Sequence, residues 1–328
     1  MRKLAIIDDY MNVAQDMADW SAVRPHCEVD VIDRPFRDVA DAATTLAPYE
    51  IISTLRERTA FPRELLEKLP NLKLICTTGS LHRTLDHEAA ADCGIIVCGS
   101  EERRGGHQGT PELAFGLMLS VARRIPHEDR GIRQGLWQSG VGVTLSGKTL
   151  GIVGLGKIGK IVAGIGKAFG MNVIAWSPNL TDERAAAAGA RRVEKDELFS
   201  SADFITIHLV LSERTRGIVG RREIGLMKKR AYLINTARGP LADEQAIVDA
   251  LREKRIAGAG LDVYHQEPMG KDHPLYALDN AVLTPHLGYV VEDSFRAFYG
   301  DTVDNILKYL AGTPARVRNP RALETRPA

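Results

Sequence analysis

The chain has 328 residues, of which 44% are apolar, enough to fill two cores and long for one. Its formal net charge is +1 and no basic tract interrupts it, which removes support for a nucleic-acid or anionic-membrane surface. Four cysteines, Cys27, Cys76, Cys93 and Cys98, show neither C-x-x-C spacing nor a disulfide framework and predict buried free thiols in a reducing compartment. The opening run MRKLAIIDDY is cut by Asp8 and Asp9 too early for a signal peptide or a membrane span, so a cytoplasmic location is expected.

Short apolar runs at 3–7, 28–32, 51–54, 72–77 and 95–98 predict strands, and helix-like segments lie between them at 11–20, 39–46, 62–69 and 86–92. That alternation implies a parallel sheet with helices on both faces, a small flavodoxin-like unit. From 105 to 146 the pattern is helical and connective. Thr110-Pro111-Glu112 makes a good helix start before the apolar positions 113–121, and a long helix there is placed to cross between domains.

The stretch 147–169, GKTLGIVGLGKIGKIVAGIGKAF, organises the rest. An apolar strand at 149–153 runs into Gly154, Gly156 and Gly159, the G-x-G-x-x-G spacing. The first glycine permits a tight turn, the second lets backbone approach a pyrophosphate, and the third lets the next helix pack close. That helix, starting near Ile158, carries Ile158, Ile161, Val162, Ile165 and Phe169 on one face, and a second strand at 172–176 closes a βαβ unit. Its free N–H groups and positive dipole end would face phosphates. Lys157 lies within the glycine loop, but GKIG lacks the GK[ST] ending of an ATP-binding loop, which excludes kinase and ATPase readings. Ser177 occupies the position where an Asp or Glu would bond the adenosine ribose of NAD. Without that carboxylate NADP has room, yet the nearest following arginine is Arg184, so NAD is favoured. No metal site is expected.

Further strands are predicted at 204–208, 231–235, 256–261 and 281–283, with helices at 220–227 and 243–253, completing a doubly wound nucleotide domain. The alanine run 185–188 reads as ordinary helix, the last helix, 292–310, is expected to return to the first domain, and the tail from Arg316 reads as an extended finish.

Three segments stand at the carboxyl ends of predicted strands, where open α/β sheets place ligands: Asn235-Thr236-Ala237-Arg238-Gly239, Asp262 through Glu267, and Thr284-Pro285-His286. Singly, Arg238 reads as a surface ion-pair former, Glu267 as a solvated carboxylate and His286 as a core histidine. Together they can converge on one crevice. Hydride exchange at a carbinol carbon requires a proton moved at the adjoining oxygen, which suits His286. Glu267 can fix its tautomer and favour the imidazolium, and Arg238 offers a planar fork for a carboxylate and a ketone oxygen.

With the motifs GKTLGIVGLGKIG, HLVLSERTRGIV, LMKKRAYLINTARGPLADEQAIVDAL, AGAGLDVYHQEP and LTPHLGY, the sequence resembles the D-isomer-specific 2-hydroxy acid dehydrogenases over nearly its whole length. The resemblance implies an α/β chain of two doubly wound parallel-sheet domains. A Rossmann NAD(P)-binding domain at 101–287 would be inserted in a discontinuous flavodoxin-like substrate domain at 1–100 and 288–328, with a hinged cleft and a homodimer built around the nucleotide domain. It gives Arg238, Glu267 and His286 the roles just argued. It also implies that Thr236, Ala237 and Asp262 meet the nicotinamide side and that His208-Leu209-Val210 lines the adenine side, alongside Gly154, Gly156, Lys157, Ile158, Gly159 and Ser177.

Departures concern the substrate. The loop 78–86 matches the family at Gly79 and Asp86 but lacks its usual asparagine and carries His82; backbone carboxylate binding near Gly79 survives this. In 55–59, LRERT, Arg56 or Arg58 can meet a phosphate or second carboxylate, or be a solvated loop charge. Tyr289 can wall the pocket or simply pack. The expected substrate is a small 2-keto or 2-hydroxy acid whose side chain the pocket loops select. Formate oxidation is disfavoured because the formate dehydrogenases use a glutamine where Glu267 stands. Phosphite oxidation shares the Arg, Glu and His pattern. A nucleotide-sensing interaction protein of the same fold is the alternative from another class, and no extra domain or exposed apolar segment favours it.

Overall fold

The computed structural model describes residues 1–79, 81–101 and 108–324, and in it the chain divides into two compact units, Met1–Gly106 with Glu292–Ala328, and His107–Val291. The first unit holds five parallel strands: β1 (Arg2–Ile7), β2 (Cys27–Ile32), β3 (Ile51–Thr54), β4 (Leu74–Thr77) and β5 (Ile96–Cys98). Their order is β2-β1-β3-β4-β5, the flavodoxin-like winding that reverses between β1 and β3. β3, β4 and β5 are buried at every position, which is why they read as largely apolar or β-branched runs without alternation, with Ser53 as the polar exception. Helices start where a carboxylate caps them: Asp38 accepts from Asp41 N at 2.8 Å ahead of Val39–Leu46, and Asp86 accepts from Ala89 N at 2.8 Å ahead of His87–Asp92. Ile7, Leu46, Ile52, Phe61, Leu65, Ile75 and Val97 fill the core between sheet and helices.

The helix Glu292–Leu310 belongs to this unit; its Asn305 donates to the Gly99 carbonyl at 3.0 Å and its Asp301 accepts from Glu101 N at 3.0 Å. The tail beyond it is tied down. Arg318 N donates to Val97 O at 2.8 Å, and the Asn319 side chain brackets β5, accepting from Val97 N and donating to Ile95 O, both at 2.8 Å. Residues 317–319 therefore cover the edge of β5 and lead into a short 3-10 turn, Pro320–Leu323. The helix predicted over 11–20 does not form. Asp9 captures Ala14 N at 2.8 Å, Asn12 adopts φ +53°, and Trp20 Nε1 donates to Ala14 O at 3.0 Å, so local side-chain bonds replace a helical ladder with turns.

The second unit holds seven parallel strands: β6 (Thr149–Val153), β7 (Asn172–Trp176), β8 (Arg191–Arg192), β9 (Phe204–Ile207), β10 (Tyr232–Asn235), β11 (Gly258–Leu261) and β12 (Ala281–Leu283). They are ordered β12-β11-β10-β9-β6-β7-β8. The order reverses between β6 and β9, the switch point at which a doubly wound sheet opens a crevice beyond its strand ends. β8, two arginines long, carries no apolar pattern and was not expected.

The region from 105 to 146 is only partly helical. The helix Gly109–Arg123 ends at Arg124 with φ +57°, a second runs Ile125–Arg133, and 134–146 is irregular; residues 105–107 lie outside the described residues. Gly109–Arg123 packs within the second unit, where Gly260 has no Cβ to meet Leu117 Cβ, a contact that would fall at 2.9 Å. Cys27, Cys76 and Cys98 are buried, Cys93 is half-buried, and all four are free. Among the described residues no helix is long and apolar enough to cross a membrane, and no group of three His, Cys, Asp or Glu side chains is placed to hold a metal.

Candidate active site

The glycine turn follows β6 directly. Gly154 has φ +106° and donates its N–H to Trp176 O at 2.8 Å. A Cβ there would stand 2.7 Å from the His208 carbonyl carbon and 2.8 Å from Leu209 N, so only glycine lets the loops after β6 and β9 abut at the switch point. A Cβ at Gly159 would strike the Gly154 carbonyl oxygen. Gly156 differs, because a Cβ there would meet nothing within 4 Å and its φ is −84°. No neighbour among the described residues demands a glycine at that position, and the space above it is where a pyrophosphate would lie.

The helix Lys157–Ala168 starts at Gly156 without a side-chain cap and without an acidic residue in its first turn. Its first helical bond is Lys160 N to Gly156 O at 3.0 Å, and the positive end of its dipole favours an anion there. Lys157 is exposed and Ile158 packs on the core. Ser177 Oγ accepts from Leu155 N at 3.0 Å, so the serine braces the turn from the end of β7. His208 Nε2 lies 2.8 Å from Thr206 Oγ1, while His208 Nδ1 and Thr236 Oγ1 are buried with no hydrogen-bond partner. Burial pushes His208 down to about 3, so its ring is neutral. Leu209 and Ala237 are half-buried against a different core, that of Ile205, Ile207 and Leu233. A cradle that side chains would fill, a helix start with no side-chain cap or acidic residue, and two buried polar atoms with no hydrogen-bond partner among the described residues fit a dinucleotide.

Beyond β10, β11 and β12 the second set of side chains meets. His286 Nδ1 is 2.6 Å from Glu267 Oε2, and Glu267 Oε1 accepts from Tyr264 N at 2.9 Å. Burial alone would raise Glu267; the hydrogen bond and charge of His286, the Tyr264 N–H and the positive charge of Arg238 together hold it below the ordinary value. Arg238 starts the loop after β10, with Nη1 donating to Ala237 O at 2.8 Å and its carbonyl accepting from Asn235 Nδ2 at 3.1 Å.

His286 sits at φ +56°, a conformation that for a non-glycine residue costs on the order of 1–3 kcal/mol and persists only where its surroundings over-determine it. Asp262 supplies that determination. Its carbonyl accepts from His286 N at 2.9 Å, Oδ1 accepts from Leu287 N at 2.7 Å and Thr284 Oγ1 at 2.6 Å, and Oδ2 accepts from Gly288 N at 2.9 Å. Burial raises Asp262 above the usual carboxylate range against those bonds and the charge of His286. The Tyr289 ring meets the His286 ring edge-on at 5.4 Å.

Residues 115–288 match the family model described as D-isomer specific 2-hydroxyacid dehydrogenase, NAD binding domain. The chain belongs to this family. A D-3-phosphoglycerate dehydrogenase of Methanocaldococcus jannaschii is 41% identical over 264 residues, covering 80% of this chain and 50% of that one. A hydroxypyruvate reductase of Blautia hydrogenotrophica is 32% identical over 97% of this chain and 99% of its own length. The crystal structure of a phosphoglycerate oxidoreductase from Vibrio cholerae superimposes with a TM-score of 0.89 at 33% identity, covering 95% of this chain and 100% of that one. The chain spans about half the length of the first three D-3-phosphoglycerate dehydrogenases it matches.

This 2-hydroxyacid dehydrogenase family member carries its remaining predicted residues in the first unit. Gly79 has φ +118°, and a Cβ there would run into the Arg56 guanidinium. Arg56 is half-buried with φ +58°; its N donates to Thr78 Oγ1 at 2.7 Å, its Nη1 to Thr78 O at 3.2 Å, and its guanidinium carbon lies 5.7 Å from the Phe298 ring centre. His82 turns inward. It is 1% exposed, packs edge-on to Phe61, and burial lowers it to about 4, so the residue that departs from the family pattern is a neutral core side chain. Ser80, in the same loop, lies outside the described residues.

Several supporting residues escaped the sequence reading. Gly239 has no room for a Cβ, which would strike the Tyr264 carbonyl; it seats the Arg238 loop on the Glu267 loop. Tyr264 OH lies 3.0 Å from both Leu261 O and Thr284 O, joining the ends of β11 and β12. The glycine directly after Arg238 was a readable signal. Nothing local to Thr284 or Tyr264 announced their roles.

Proposed function

We propose that this chain is an NAD(P)-dependent dehydrogenase that interconverts a small 2-keto acid and the D-2-hydroxy acid. The observation that carries this reading is the 2.6 Å His286–Glu267 pair beside Arg238, in loops beyond the same parallel sheet that bears the glycine turn. When bound, the reduced nicotinamide supplies a hydride to the keto carbon. His286 gives a proton to the keto oxygen in reduction and takes it back in oxidation. With Nδ1 on Glu267, its Nε2 is the nitrogen that exchanges this proton. Glu267, held ionised, fixes the ring and stabilises its charged form. Arg238 binds the carboxylate and polarises the carbonyl.

Gly154, Gly156, Lys157, Ile158 and Gly159 hold the pyrophosphate, Thr236 and Ala237 face the nicotinamide, Ser177 faces the ribose, and His208 and Leu209 flank the adenine side. Asp262, whose oxygens are occupied within the loop, acts by seating His286. NAD is the favoured cofactor, and NADP is accommodated because Ser177 presents no carboxylate to a 2′-phosphate. In the first unit the backbone near Gly79 meets a substrate carboxylate and Arg56 a phosphate or second carboxylate, and in the second unit Tyr289, beside His286, walls the pocket. The protein works in the cytoplasm as a homodimer.

The test is oxidation of NADH and NADPH by purified protein with glyoxylate, hydroxypyruvate, pyruvate, 2-ketobutyrate, phenylpyruvate and 2-ketoglutarate, and the reverse reaction with 3-phosphoglycerate and phosphite. Turnover of a 2-keto acid to the D-product supports the reading. Tight NADH binding with silence across the panel favours a sensing protein instead.

A further inference from the structure

Asp8 is a buried carboxylate outside the candidate active site. It follows β1, is 1% exposed and adopts φ +64°. Its partners come from its own corner and the loop after β3. Oδ1 accepts from Thr59 Oγ1 at 2.8 Å and lies 3.4 Å from Tyr10 OH, Oδ2 accepts from Thr59 N at 3.2 Å, and the Asp8 carbonyl accepts from Arg58 Nη1 at 2.9 Å. The Arg58 guanidinium also lies over the Tyr10 ring at 4.7 Å. β3 stands between β1 and β4 in the sheet, so the loop 55–59 is gripped from both neighbours: by Asp8 on one side, and on the other by Thr78, which holds Arg56 at 2.7 Å and 3.2 Å. Arg56 then lies on Gly79, whose carbonyl is fixed by Ser100 N at 2.9 Å.

We propose that Asp8 is a positioning residue, setting the loop 55–59 so that Arg56 rests on Gly79 and thereby governing affinity for the substrate carboxylate. This rests on the assignment of Gly79 and Arg56 to substrate binding. The electrostatics point the same way. Burial raises Asp8 to about 6, against the bonds from Thr59 and Tyr10 and the charge of Arg58. A carboxyl whose folded value lies above its ordinary 3.8 subtracts stability as pH rises from about 4 to about 6. Ionised Asp8 is therefore a burden on the fold, retained for where it holds the loop.

The experiment compares wild type, Asp8→Asn and Thr59→Val. For Asp8→Asn at pH 7.5 the KM for the 2-keto acid rises about 5- to 20-fold, the loss of one or two charge-assisted hydrogen bonds. Meanwhile kcat stays within about twofold, NADH affinity is unchanged and Tm is kept or raised. Wild-type KM climbs more steeply than that of Asp8→Asn as pH falls from about 7 to about 5, because only the wild type has a proton to gain at position 8. Thr59→Val raises KM in the same direction, and the double variant is less than additive. A lowered Tm with unchanged KM, or equal pH profiles, would mark Asp8 as merely structural and overturn the proposal. Should wild type reduce no 2-keto acid, the dehydrogenase reading itself fails. Hydrogen exchange at the amides of 56–59 then decides the clamp: faster exchange in Asp8→Asn upholds it, and unchanged exchange overturns it.

Discussion

His286 is held by three backbone N–H groups, its own and the two that follow, all bonded to Asp262, and its ring is held by Glu267. The ring thus has a fixed direction before any ligand arrives, and an error of an ångström in such a group is expensive in rate. His286→Ala is expected to lose about 10²- to 10⁴-fold in kcat, the usual range for a positioned acid-base group, while fluorescence titration finds NADH affinity retained. Wild-type-like turnover would remove His286 from the reaction. Glu267 carries a second prediction at this scale. Its folded value lies below the ordinary 4.5, so its contribution is complete above about pH 4.5 and is lost as pH falls through the folded value. Denaturant titrations should therefore show wild type weakening more steeply on acidification than Glu267→Gln, with the variant also slower in turnover at neutral pH. Equal acid sensitivity in the two would contradict the ion pair.

Among the elements, the turn between β6 and the helix Lys157–Ala168 separates two reasons for a glycine. Gly154 is required by the protein: φ +106° and the His208 backbone leave no place for a side chain. Gly156 is required by nothing among the described residues. Gly156→Ala is accordingly expected to melt within about 2 °C of wild type and to bind NADH at least about tenfold more weakly, because its methyl fills the pyrophosphate's place. Gly154→Ala should lose both stability and binding. Matched calorimetry and NADH titration of the two variants make the comparison, and an unaltered NADH affinity in Gly156→Ala would argue against a dinucleotide there. Gly239 belongs with Gly154, since the Tyr264 carbonyl occupies the space its side chain would need. Two strand-end loops, and with them Arg238 and Glu267, are kept together by the absence of one carbon.

For the whole molecule, two units with their own sheets and cores mean that a ligand of one need not stiffen the other. NADH at about 100 times its Kd should add about 2.7 kcal/mol to the unit that binds it. Hydrogen exchange should show the added protection at amides beyond β6, β7 and β9, in the unit His107–Val291. Protection centred on the five-stranded sheet would place the cofactor elsewhere. Light scattering is expected to give twice the 36.0 kDa chain mass; a monomer would leave the dimer expectation without support.

Local chemistry and periodicity were sufficient for the buried parallel strands, because a strand covered on both faces must be apolar throughout. Runs such as 149–153 therefore announced themselves, as did the glycine spacing and the Arg, Glu and His at strand ends, although β3 buries Ser53 and Thr54 with its two isoleucines. The expected helix over 11–20 failed because Asp9 diverts its backbone, a competition that periodicity does not display. β8 was invisible because two arginines paired at a sheet edge carry no pattern. Only the tertiary structure could show that His82 is a neutral core residue, that Asp262 seats His286, and that Asp8 reaches the loop after β3. Each of those depends on side chains distant in sequence meeting at neighbouring strand ends, and the order of strands in a sheet, which decides those meetings, is set by packing of the whole chain.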